Sequence, residues 1–327
     1  MDHSSEDRNY YEGSGDYDRE TVRFFDVAHE GAQLRAIAGA MDRFASLRGE
    51  TPRSVVILVT DQIARAGARY VVNQRTPLRY PIVITDALPT FVGALDIVLV
   101  VGDVAENDEI SQALIAATNR GAAVVLAGPA RGPIIDDAPS SVIVIPPLPT
   151  SAGGSPMRTI GAVSVLLDSL EDDPHILAQR LDDFANELDE EIQQLSPERD
   201  ETVNPARQLR YYVSGARVIH TAFRQPGLAV AELVATLWSA RGIPSSFVAP
   251  EELPRALEEQ QQNHDIFYDP FIDSDEQLVP LKAVVWAHDE APLPNSRAES
   301  CPNTDLGDTA AALRLVVRGF ATTALGE

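Results

Sequence analysis

Two strand-to-helix turns carry the residues with the clearest chemical potential in this 327-residue sequence. The apolar run Ser54–Val59 is followed by Thr60-Asp61-Gln62-Ile63-Ala64-Arg65. The run Asp96–Val101 is followed by Gly102-Asp103-Val104-Ala105-Glu106-Asn107-Asp108-Glu109. At such a turn the Thr60 hydroxyl and the Arg65 guanidinium can hold an anionic ligand. Read instead as a helix start, the same turn makes Thr60 or Asp61 an N-cap, its oxygen accepting from a backbone N–H inside the first turn. At the second turn Asp103, Glu106 and Asp108 could hold a divalent cation, or enrich a helix N-terminus in acids.

The remaining candidates are scattered. His220 ends the run Ala216–His220, at the strand end where α/β folds present groups to ligands; its other reading is a hydrogen-bonded histidine at a strand edge. His264 precedes Asp269, Asp273 and Asp275, a carboxylate group whose spacing matches no calcium loop, so a solvated loop is the simpler account. Arg158, Arg207 and Arg255 can each hold an anion or pair with one of the many acids. His220, His264 and Glu252 are the groups left for acid or base work.

Composition narrows the function classes. There are 49 acidic and 26 basic residues, a net charge of −23, and Lys282 is the sole lysine. A surface this negative repels phosphate backbones and anionic lipids, which argues against nucleic-acid or membrane-surface binding. The single cysteine, Cys301, excludes an intrachain disulfide and a cysteine zinc cluster. No apolar run approaches the roughly 20 residues of a membrane span, and the polar, acidic start is unlike a signal peptide. A soluble, cytoplasmic protein with no cofactor and no metal is expected.

Short apolar runs without alternation position these residues: Ser54–Val59, Pro81–Ile84, Asp96–Val101, Ala122–Leu126 and Ser141–Ile145. Each reads as a strand buried on both faces. Helical segments Ile63–Asn73 and Asp108–Arg120 lie between them, which predicts right-handed βαβ units. Residues 1–20 read as a disordered acidic leader, and Thr21–Leu47 as one helix. Prolines 146, 147 and 149 and the following Ser/Gly stretch mark a boundary. Helices are expected over Met157–Leu170 and Pro174–Leu195, the latter with an acidic, solvated face. A second α/β unit then follows: helix Val203–Val213, strand Ala216–His220, helix Leu228–Ala240, strands Ser245–Val248 and Lys282–Ala287, and a closing helix Asp308–Ala324.

These residues also carry a resemblance. Asn204-Pro205-Ala206-Arg207-Gln208-Leu209, Gly215-Ala216-Arg217-Val218-Ile219, Gly227-Leu228-Ala229-Val230-Ala231, Ile243-Pro244 and Glu252-Leu253 resemble the second half of bacterial bifunctional phosphoglucose/phosphomannose isomerases. Pro156-Met157-Arg158 with Gly161 resembles the segment opening that family's linker helix, the glycine one residue early. Asp265-Ile266-Phe267-Tyr268-Asp269-Pro270-Phe271-Ile272-Asp273 resembles the divergent actinobacterial branch called TobH. The resemblance implies an α/β fold of two sugar isomerase (SIS) domains, Rossmann-like sandwiches with five parallel strands each, over residues 21–150 and 201–327. A helical linker over 151–200 would join them. It implies a sugar-phosphate ligand and a homodimer.

Aldose–ketose isomerisation needs a phosphate cradle, a carboxylate base, a ring-opening acid and a stabiliser of the enediolate. The family's glycine- and hydroxyl-rich phosphate turns correspond to the two turns above, which have lost the glycines of the first and the hydroxyls of the second. Its base glutamate falls on Ser239 and its histidine on Arg255, and neither transfers protons near pH 7. The expectation is a sugar-phosphate-binding protein with degenerate catalysis and a regulatory or interaction role. Thr60, Arg65, Arg158, Arg207, Ser239 and Arg255 are its candidate ligand contacts. The alternatives are an active isomerase with relocated groups, and a scaffold using the acidic leader to reach a protein partner.

Overall fold

A computed structural model describes residues 18–148, 153–262, 279–302 and 304–326. The strands form two parallel sheets. β1 (Ser54–Val59), β2 (Ile82–Thr85), β3 (Asp96–Val101), β4 (Ala123–Ala127) and β5 (Ile143–Val144) are ordered β2-β1-β3-β4-β5. β6 (Arg217–Thr221), β7 (Ser245–Phe247), β8 (Leu281–Trp286) and β9 (Ser296–Glu299) are ordered β7-β6-β8-β9. Every pairing is parallel, with β1 and β3 in register from Ser54↔Asp96 to Val59↔Val101. β1 and β3 are buried along their whole length, as strands covered on both faces must be. The second sheet repeats the strand order of the first but has four strands among the described residues, one fewer than the resemblance implies.

The stretch expected as one helix over Thr21–Leu47 is three elements: α1 (Arg19–Ala28), α2 (Glu30–Ala38) and a 3-10 turn (Met41–Leu47). His29 caps the end of one helix and starts the next, its ring nitrogen bonded to the Phe25 carbonyl at 2.7 Å. The crossovers are α3 (Gln62–Asn73), α4 (Asp108–Asn119) and the short α5 (Pro133–Asp136). Next come α6 (Pro156–Asp168), α7 (Pro174–Leu195) and α8 (Pro205–Val213), each with a proline at the first turn and a capping Ser155, Asp173 or Asn204. The second half adds α9 (Gly227–Ala240), α10 (Leu253–Gln262) and α11 (Gly307–Ala324).

α6 packs between α2 and α3, and α3 packs on α9, so the helices between the sheets form one continuous core. The acidic face of α7 is only partly solvated. Glu191 is buried and holds Arg314 at 3.1 Å and Arg318 at 2.9 Å on α11, and Arg318 reaches Glu299 of β9 at 3.0 Å. Buried charges persist when paired and hydrogen-bonded, and here they tie α7 to the second sheet. No helix among the described residues is long and apolar enough to cross a membrane.

Candidate functional site

The strand order reverses between β1 and β3, so their carboxyl ends form the crevice where open α/β sheets receive ligands. Gly102, at φ +126°, lets the two turns meet: a Cβ there would sit 2.1 Å from Thr60 Oγ1 and 2.6 Å from Asp61 Oδ2. Asp61 caps α3, with Oδ1 accepting from Ala64 N at 2.8 Å. Its Oδ2 accepts from Asp103 N at 2.9 Å and from the Thr60 hydroxyl at 3.2 Å. Thr60 Oγ1 accepts from Val104 N at 3.3 Å. Three N–H groups that a phosphate would use therefore hold the chain's own oxygens.

Beneath these turns lies the start of α6. Asp103 Oδ2 accepts from Ser155 N at 3.2 Å, and Glu30 Oε2 accepts from Met157 N at 2.9 Å. Glu30 is fully buried, and burial pushes its carboxyl up to about 8; the Ser155 and Met157 hydrogen bonds oppose this, and the Asp26 and Asp103 charges add to it. Its Oε1 has no hydrogen-bond partner. Burial likewise pushes Asp103 up to about 6, eased by the Ser155 N–H and reinforced by Asp61. Two carboxyls that exchange protons near neutral pH thus flank Ser155. Glu30, the first residue of α2, carries no motif that marks it; its burial comes from α2 packing against α6 and α7.

The expected ligand contacts are spread through the molecule and bonded internally. Arg158 is buried and donates to the carbonyls of Pro146 at 3.0 Å, Gly128 at 3.2 Å and Ile145 at 2.9 Å, clamping the loops after β4 and β5. Thr60 and Arg158 share the neighbourhood of Asp103, whose charge acts on the Arg158 guanidinium. Arg65 pairs with Asp86 at 3.0 Å on the exposed side of α3. Arg207 is bidentate to Glu20, at 3.1 and 2.5 Å, and donates to the Arg199 and Pro197 carbonyls. Ser239 donates to the Ser245 carbonyl at 2.8 Å, fastening α9 to β7. Arg255 and Glu252 are exposed at the start of α10. His264 lies outside the described residues.

His220 is not a crevice group. Strand parity turns it inward, where it is fully buried with its ring edge-on to Trp238 at 4.6 Å. The Trp286 indole N–H donates to its Nδ1 at 3.0 Å, leaving the proton on Nε2, which has no partner. Burial pushes its pKa down to about 3, so the ring stays neutral. Among the described residues no three His, Cys, Asp or Glu side chains converge to hold a metal, so Asp103, Glu106 and Asp108 act as turn and helix-start acids.

Solved structures share this architecture. The C-terminal domain of glucosamine-fructose-6-phosphate aminotransferase from Francisella tularensis matches with a TM-score of 0.58 at 12% identity, covering 94% of this chain and 95% of that one. Tagatose-6-phosphate ketose/aldose isomerase from Escherichia coli matches at 0.57 and 13% identity, covering 91% and 90%. A Salmonella typhimurium LT2 protein assigned to sugar binding matches at 0.62 and 11% identity, covering 93% and 99%. The chain has the phosphosugar-isomerase fold. No family profile and no curated sequence matches it. The fold comparison spans nearly all of both partners, so the two-sheet arrangement is a property of the whole chain and not of one half.

Proposed function

We propose that this chain is a non-catalytic protein of the phosphosugar-isomerase fold that acts by binding a carbohydrate derivative in a regulatory or interaction role. We place it on a divergent branch beside the bifunctional phosphoglucose/phosphomannose isomerases, with domains over 21–150 and 201–327. Action in the cytoplasm, as a homodimer or with a protein partner for residues 1–20, belongs to the same reading. The observation that carries the loss of chemistry is Asp61. Its carboxylate takes the Ala64 and Asp103 N–H groups, so a phosphate dianion meets a filled cradle and a like charge. Ser239 and Arg255, where the family's base and acid would fall, offer no proton transfer near neutral pH. The carbohydrate class is supported by the sugar-phosphate and sugar-binding proteins that share the fold.

One observation favours a second reading, an isomerase with relocated groups: Glu30 and Asp103 flank Ser155 with pKa values near 8 and 6. Such a pair can divide acid and base roles. Fructose 6-phosphate and mannose 6-phosphate, followed by NMR in heavy water with stoichiometric protein, separate the two. We expect no new aldose or ketose signal and no deuterium at C2. Deuterium incorporation that disappears in Glu30→Gln would establish the second reading and end the first.

A further inference from the structure

The helices between the sheets leave a cavity of about 450 Å³ at the opposite end of the strands from the crevice. It is walled by α2, α3, α6, α7 and α11, and so by both halves of the chain. Its volume falls within the range of small-molecule sites, which favour interfaces between halves and combine apolar walls with a few polar groups. The apolar wall includes Ile160, Leu181, Phe184 and Leu313. Tyr70 also lines it; its buried hydroxyl makes no well-formed hydrogen bond, and the Gln74 side chain of the cavity wall lies beside it. A buried phenol lacking an acceptor is destabilising, and native proteins leave few such groups unexplained.

Charge at the rim selects the ligand. Two guanidinium groups, Arg75 and Arg180, stand there, with the carboxylates of Asp168 and Asp172 beside them. Arg75 is tightly held by Asp168 at 2.5 Å. Arg180 reaches Asp168 at 3.5 Å and Asp172 at 3.3 Å, beyond the short range of strong charge-assisted bonds. A better acceptor can therefore displace these contacts. We infer that this cavity is a binding site for an amphipathic monocarboxylic acid, its apolar body among the helices, a neutral oxygen accepting from Tyr70, and its carboxylate on Arg180. The site lies apart from the crevice and does not depend on the function proposed above.

Decanoate is a suitable minimal probe for the apolar body and the head group, with 1-decanol as the uncharged control. In calorimetric titration of the full chain, decanoate binds one per chain, and decanol binds at least tenfold more weakly. Ser164→Leu, which fills the cavity without touching the Arg75 contact to the Ser164 carbonyl, abolishes binding. If that variant melts well below the native protein, Leu181→Phe serves in its place. Arg180→Gln weakens decanoate about tenfold and leaves decanol unchanged. A longer probe with an ether oxygen in its chain loses affinity in Tyr70→Phe by severalfold more than decanoate does. Absence of saturable binding, binding indifferent to both cavity-filling variants, or a dimer that buries this face and excludes the probe would each overturn the inference.

Discussion

The crevice at the ends of β1 and β3 and the cavity among the five helices are both built where a ligand would be expected, yet the chain treats them oppositely. At the crevice, Asp61 and Thr60 saturate the N–H groups of Ala64, Asp103 and Val104. At the cavity, the Tyr70 hydroxyl has the Gln74 side chain near it but makes no well-formed hydrogen bond, and Arg180 is held only loosely. The lesson is that a fold can keep the shape of a site while its own side chains replace the ligand. The place in the fold is then a weaker guide to binding than an unmet hydrogen bond.

The largest test concerns what lies under the crevice. Removing the Arg158 guanidinium leaves the Pro146, Gly128 and Ile145 carbonyls without their donor. Arg158→Ala should destabilise by about 3 kcal/mol or more, read by chemical denaturation. A fully stable variant would return Arg158 to the ligand contacts and weaken the contrast.

The pH dependence comes next. Glu30 and Asp103 have folded-state pKa values raised to about 8 and about 6 from 4.5 and 3.8. At these two groups the folded protein binds more protons than the unfolded one between those limits, so their contribution to stability is fully present below about pH 4 and is lost as pH rises to about 8. Glu30→Gln should flatten this decline and be the more stable protein at pH 8 by a few kcal/mol, at about 1.4 kcal/mol per pKa unit. Denaturation midpoints for both proteins at pH 5.5 and 8 check the sign. A native protein that gains stability over that range would contradict the buried carboxyl pair.

Two smaller effects sharpen the contrast from the other side. Tyr70→Phe should leave the ligand-free protein as stable or raise it by about 1 kcal/mol, because it removes an unpartnered hydroxyl. A loss of similar size would mean that the hydroxyl is bonded in the free protein. Arg65→Ala breaks an exposed pair with Asp86 and should change stability by less than about 0.5 kcal/mol.

Much of the fold was legible because its signals are local. Continuous apolar runs read as strands buried on both faces, which holds for β1 and β3 while the edge strands β2 and β5 are half-buried, and Asp173-Pro174 announces the start of α7. The single helix read over Thr21–Leu47 failed because the apolar spacing continues through His29 while the backbone turns there. β9 has the sequence Ser-Arg-Ala-Glu, with no apolar run; it exists because β8 offers an edge and Arg318 neutralises Glu299. The site was less legible. That the two turns hold acids where a phosphate cradle would need glycines and hydroxyls was visible, but which oxygen fills which N–H depends on how the turns meet across Gly102. His220 looked like a strand-end group, and only its burial against Trp238 and Trp286, brought in by α9 and β8, places it in the core.

The central claim is that Asp61 occupies the place of a ligand anion. Asp61→Ser tests it directly, since serine still caps α3 while removing the charge and freeing the Asp103 N–H. Phosphorus NMR titration of fructose 6-phosphate against both proteins is the measurement. No saturable shift is expected with the native chain, and a saturable one with the variant. Tight binding to the native chain that Asp61→Ser leaves unchanged would contradict it.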